Sequence, residues 1–176
     1  MTVDEILNEV ISKEGGYVNH KNDYGGPTNM GITQDTLSRY YGRRATIDEV
    51  RNLSVDQAKE IYERQYYSNP RLDMLPTAIQ PIAVDTAVLF GPRKAIMFLQ
   101  SIVNQAGFGP VNEDGIMGPN TKNAIDAAFQ AMKNYFINAV VEERIDFHRN
   151  RVAQDPSQGV FLQGWINRAE NFRQRV

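Results

Sequence analysis

Two carboxylates and a hydroxyl, Glu14, Asp23 and Thr28, fall close together in the stretch EGGYVNHKNDYGGPTNMGIT, residues 14–33. A carboxyl pressed against apolar surface loses hydration, which disfavours its charged form and suits it to give up a proton near neutral pH. A second carboxylate beside such a group is the arrangement of glycoside hydrolysis, where negative charge or a positioned water meets an oxocarbenium-like transition state. Widely spaced carboxyls imply inversion, with Asp23 or Thr28 steering the water; close ones imply retention. Periodicity alone leaves Glu14 evenly divided between a solvated helix end and a working acid. The acid is favoured by Asp23, Tyr24, Thr28 and Asn29, polar groups in a loop whose glycines permit tight turns back toward the helix exit.

Other chemistries find little in the sequence. With no cysteine there is no disulfide framework, thiol nucleophile or Cys-ligated zinc. His20 and His148 are the two histidines and lack metal-ligand spacing, so neither a metal nor a cofactor is expected. A nucleophile elbow of Gly-x-Ser-x-Gly type is missing. A net charge of −2 gives no global basic field, so nucleic acid is not an expected partner. Stable membrane insertion is not expected either: no run approaches the roughly 18 apolar residues that a span needs. The first residues carry acids rather than a basic start and an apolar run, so no means of self-export is visible.

The elements that must position these groups follow from rhythm and punctuation. Thr2 with Glu5 forms a capping box, and Val3, Leu7, Val10 and Glu14 share a helical stripe widened by Ile6 and Ile11. Gly15-Gly16 ends that helix. The Asn-, Asp- and Gly-rich text that follows suits irregular turns or a small β-hairpin. Helices are predicted from Thr33 to Tyr40, from Thr46 with its capping partner Glu49, and after Ser54 with Val55, Ala58, Ile61 and Tyr62 in register, up to the break at Asn69-Pro70. Thr77–Phe90 is apolar on nearly every side and reads as a buried central helix, with Pro81 in its first turn. An amphipathic helix follows Gly91-Pro92, one or two span about 120–153, and a last one after Asp155-Pro156 carries Trp165 and Phe172. At 176 residues and 41 % hydrophobic, the chain suits one well-filled core.

The stretch from Glu14 to Thr33 resembles the signature of the glycoside hydrolase 108 family, phage endolysins and related bacterial muramidases. That signature opens with a Glu-Gly-Gly-Tyr box and continues to Gly-Gly-x-Thr-Asn-x-Gly-Ile-Thr. The likeness runs on through YYSNPRLDMLP, AVDTAVLFGP, LQSIVNQ, DGIMGPNT and GWINR in the family's order. It implies an α+β, mostly α, lysozyme-like helical fold with a small hairpin or irregular loop after helix 1. It further implies a catalytic region over 1–91 and a C-terminal helical region over 92–176 that resembles a peptidoglycan-binding domain, the two packed as one unit. Glu14 becomes the catalytic acid. By analogy with phage-type lysozymes, Asp23 and Thr28 become its partners ahead of the Gly31-Ile32 pair, and Tyr17, Asn19, Tyr24, Asn29, Gly31 and Thr33 the substrate-binding residues.

The expected activity is cleavage of the β-1,4 bond between N-acetylmuramic acid and N-acetylglucosamine in peptidoglycan glycan strands, for host cell lysis. Rival expectations are a lytic transglycosylase on the same bond, a non-enzymatic wall-binding or secretion-assisting module, and a bacterial muramidase that loosens the wall for protein release. The resemblance implies a monomer that gathers in the host cytoplasm and reaches the periplasm and wall with the help of a holin-type membrane protein. Tyr66 and Tyr67 join Tyr17 and Tyr24 as possible sugar platforms. Asp85 in the apolar helix needs a partner such as Arg93 or Arg168, Trp165 is expected to close the core, and DGIMGPNT is expected to anchor a helix more than to touch glycan.

Overall fold

The computed structural model describes residues 1–19 and 26–176. Helix α1 (Val3–Glu14) starts where its capping box requires: Thr2 Oγ1 accepts from the Glu5 N–H while the Glu5 carboxylate accepts from the Thr2 N–H. It buries Ile6, Leu7, Val10 and Ile11 and stops at Gly15, whose φ of +73° suits a residue without Cβ. An isolated antiparallel bridge between Val18 and Thr28 then ties the chain to a two-stranded hairpin, β1 (Thr28–Asn29) and β2 (Ile32–Thr33). Thr28 pairs with Thr33 and Asn29 with Ile32. Helices α2 (Gln34–Tyr41), α3 (Ile47–Arg51) and α4 (Val55–Glu63) follow, each led by a threonine or serine cap. A π-helical turn, Arg64–Ser68, prolongs α4, with the Asn69 N–H donating to the Arg64 carbonyl. Met1–Asn69 forms one compact unit, in which α1 packs on α4 and the hairpin on α2 and α3.

The second compact unit, Pro70–Val176, is built on α5 (Gln80–Phe90), with Ile82 to Ala87 all buried. Against it pack α6 (Pro92–Gln105) and α8 (Asn134–Gln154), with α7 (Pro119–Met132) lying on both of these and α9 (Leu162–Glu170) on α8. The chain has the mostly helical, lysozyme-like α+β fold, with its small hairpin after α1. One boundary differs from the rhythm of the sequence. The last helix ends before Phe172, which is buried beyond it, and is preceded by a tight 3-10 stretch over Pro156–Phe161. Of the one or two helices expected over about 120–153 the structure has two, divided at Lys133, whose φ of +52° its residue type does not announce.

Asp85 is 6 % exposed and holds two arginines. Arg168 forks onto it, Nε reaching both carboxylate oxygens at 3.1 Å and Nη2 reaching Oδ1 at 2.8 Å, while Arg144 Nη2 lies 2.9 Å from Oδ2. Arg144 is fully buried, a partner that the sequence did not single out; Arg93 instead donates to the Asp114 carbonyl. Trp165 is half-buried and stacks on the buried His148, centroids 4.5 Å apart. In the DGIMGPNT loop, Gln100 does the anchoring: its Nε2 donates to Asp114 Oδ1, the Ile116 carbonyl and Thr121 Oγ1, and its Oε1 accepts from the Gly115 N–H.

Removing the carboxylate in Asp85→Ala leaves buried guanidinium charge without its counter-ion, and the expected loss of stability is about 3–5 kcal/mol by urea unfolding. His148 gives a second expectation. Burial, with Arg144 and Arg151 adding like charge, depresses its imidazole from 6.5 to about 4. Between those values the unfolded chain binds more protons than the folded one, so its contribution is complete above 6.5 and is lost as pH falls through 4. Unfolding free energy is expected to fall across that window by at most about 1.4 kcal/mol per pH unit, a slope that His148→Phe flattens.

Candidate active site

Glu14 is the last residue of α1, exposed, at the end where helix dipole and carboxylate charge share a sign. Helix stability gives no reason for an acid there. What fixes its surroundings is the hairpin turn, Met30-Gly31, in which both residues have positive φ, +51° and +77°, as tight primed turns require. This turn comes so close that a Cβ built on Gly31 would lie 2.5 Å from Tyr62 Oη, 2.9 Å from Glu14 Oε2 and 3.0 Å from Glu14 Cγ. Carboxylate and phenol thus crowd the same bare backbone.

Tyr62 is 5 % exposed and donates from Oη to the Met30 carbonyl at 2.6 Å. Tyr66 stacks on it, centroids 5.6 Å apart and planes 17° from parallel. Burial, then the nearby Glu14 charge, raises both phenols above their ordinary range, so each stays protonated and neutral at physiological pH. The single Tyr62 proton is committed to Met30. Among the described residues nothing donates to the Glu14 carboxylate, which leaves its lone pairs open to an incoming group.

Of the residues expected from the sequence, Glu14 and Gly31 are brought together. Asp23 and Tyr24 lie outside the described residues, as does His20. Thr28 is half-buried on β1, its backbone exchanging hydrogen bonds with Val18. Asn19 is exposed just past that bridge. Tyr17 is half-buried with the Arg51 guanidinium 5.2 Å from its ring centroid, so a sugar would have to share that ring. Asn29 and Thr33, expected to bind substrate, have side chains that bond within the fold. Asn29 is 7 % exposed and its Nδ2 donates to the Val50 and Arg51 carbonyls at the end of α3, joining Leu53 N–H on the first of them. Thr33 Oγ1 caps α2 by accepting from the Thr36 N–H and donates to Thr36 Oγ1. Tyr67 is half-buried beside Val3, Leu7 and Lys59, between α1 and α4. Tyr62 was legible only as one more core position; the signal available was that a phenol in an apolar stripe needs a partner for its hydroxyl.

An alanine at position 31 would have to adopt φ of +77° and displace the Tyr62 hydroxyl or the Glu14 carboxylate. Gly31→Ala is expected to lower unfolding free energy by about 1–3 kcal/mol, read by chemical denaturation.

Comparison with known proteins gives the family. The model of the family described as Glycosyl hydrolase 108 matches residues 7–91, the segment that carries Glu14, the hairpin and Tyr62. A second, described as Predicted Peptidoglycan domain, matches residues 94–170. No curated protein matches significantly. Among solved structures, SagA of Brucella abortus is 32% identical over 96% of this chain and 90% of its own, with a TM-score of 0.69. With that relative matched along almost its whole length, the chain belongs to the glycosyl hydrolase 108 family and is a glycoside hydrolase that acts on peptidoglycan.

Proposed function

We propose that the protein cleaves the β-1,4 bond between N-acetylmuramic acid and N-acetylglucosamine, with Glu14 as the general acid that protonates the leaving glycosidic oxygen. The observation that carries this reading is the setting of Glu14: an exposed carboxylate without a hydrogen-bond donor among the described residues, yet backed by the Gly31 turn and Tyr62. A general acid needs a fixed position and an open face, and this arrangement supports both. The neutral phenols of Tyr62 and Tyr66 provide a wall without adding charge. Asp23 and Thr28 are proposed to stabilise the transition state or hold the attacking water. Release of phage from a bacterial host is the setting proposed for this activity.

Digestion of purified peptidoglycan, followed by mass analysis of reduced fragments, tests bond, reaction and acid together. Hydrolysis adds one water at each cut and leaves a reducing muramic acid end. Anhydro-muramic products would instead assign a lytic transglycosylase. Glu14→Gln is expected to lower the cleavage rate by about 10²–10⁴-fold while wall binding in a pull-down persists. Undiminished cleavage by that variant would remove Glu14 from the role.

A further inference from the structure

A cavity of about 360 Å³ lies between α2 and the α4 helix with its π-helical extension. Ile61 forms part of its buried floor, and Arg39, Arg64, Gln65 and Asn69 bring donor groups to its lining. Arg64 is partly neutralised, its Nη2 2.7 Å from Glu60 and its guanidinium 5.0 Å from the Tyr40 ring centroid. Glu60 stands outside the lining, where it also accepts from Tyr40 Oη at 2.6 Å. The other donors are unspent: among the described residues no hydrogen bond or ion pair engages the side chains of Arg39, Gln65 or Asn69. A lone exposed arginine is ordinary. A free guanidinium and two free carboxamides around one cavity, with no acid in the lining, form a donor-rich cradle of the kind that carboxylates fill.

The same helix also carries the wall of the Glu14 site, which bears on the carboxylate that arrives there. Ile61 and Gln65 line the cavity, while the next residue after each, Tyr62 and Tyr66, stands beside Glu14. A ligand that spans the two faces of this helix would carry an anionic branch off the glycan strand under attack. In peptidoglycan that branch is the peptide stem on the muramic acid lactyl group, which bears free carboxylates. We propose that the Arg39–Gln65–Asn69 cavity is a carboxylate subsite for this stem, giving the enzyme a preference for stem-bearing glycan; the assignment rests on Glu14 being the glycan-cleaving acid.

Binding tests it without cleavage. Calorimetric titration of the Glu14→Gln chain uses three probes: the free stem peptide L-Ala-γ-D-Glu-diaminopimelate, the same peptide amidated at its carboxylates, and inorganic phosphate. The acid peptide is expected to bind at least about tenfold more tightly than its amide, a difference of about 1.4 kcal/mol, and Arg39→Gln in the same background to erase that difference. Arg39 is exposed, so melting by circular dichroism should match the parent; Gln65→Leu provides a second variant with the same expected direction. Equal binding of acid and amide, no measurable binding, or indifference to both substitutions overturns the subsite. Tighter binding of phosphate than of peptide overturns the stem assignment. Cleavage that depends on Glu14 alongside any of these outcomes would sink the subsite and spare the acid, whereas acid-peptide binding with undiminished cleavage by Glu14→Gln would do the reverse.

Discussion

The hydrogen bond from Tyr62 to the Met30 carbonyl is the contact on which the site depends, because it joins α4 to the hairpin turn at the one place where a glycine makes room. Strands of two residues have too few ladder bonds to hold a position alone. Outside help arrives from both sides. Tyr62 holds the turn and Asn29 holds the strand before it, by bonding to the last carbonyls of α3. A segment with little intrinsic stability is thereby set firmly against the end of α1, and the carboxylate there gains a fixed background while keeping an open front. Burying the Tyr62 hydroxyl is favourable because its proton has a partner; the same phenol without Met30 would carry a desolvation cost.

In the second unit the governing interaction is a charge cluster rather than a turn. Asp85 sits in a helix whose neighbours are apolar, and its two arginines come from α8 and α9, far away in sequence. Such a cluster adds little net stability beyond what a well-packed apolar set would give, but half of it is far worse than either. It therefore acts as a condition on assembly: α5, α8 and α9 must all be in place before Asp85 has both of its counter-ions. His148, neutral and stacked on Trp165, fills the adjoining space without adding a third positive charge.

Local chemistry made much of the fold legible. The Thr2–Glu5 and Thr46–Glu49 capping boxes, the glycine after Glu14 and the apolar stripe of α1 all lie within a few residues of the features they determine. The residues that escaped are those whose role is set at long range. Arg144 reads as one more charged helical residue until its contact with Asp85 is known. Tyr62 reads as core until the Met30 carbonyl, on another element, claims its hydroxyl. Asn29 and Thr33 sit inside a dense motif and so read as ligand groups, and their bonds to α3 and α2 are not visible in the sequence. Polar residues in a motif can be needed for building the site rather than for touching what enters it. Glu14 stands out for the opposite reason: neither capping nor packing explains an acid at that end of a helix.

The shortness of the hairpin has one more consequence. With only two residue pairs, Thr28 with Thr33 and Asn29 with Ile32, almost nothing in the ladder distinguishes the correct alignment from its neighbour. A slip of one position would turn every side chain to the other face, sending Asn29 away from α3, and would present Met30 or Ile32 where Gly31 belongs. Neither could fit against Glu14 and Tyr62. The empty place at Gly31 therefore works as a proofreading gauge, which only a correctly threaded turn can pass, so that a chain with its hairpin misaligned cannot assemble a finished site.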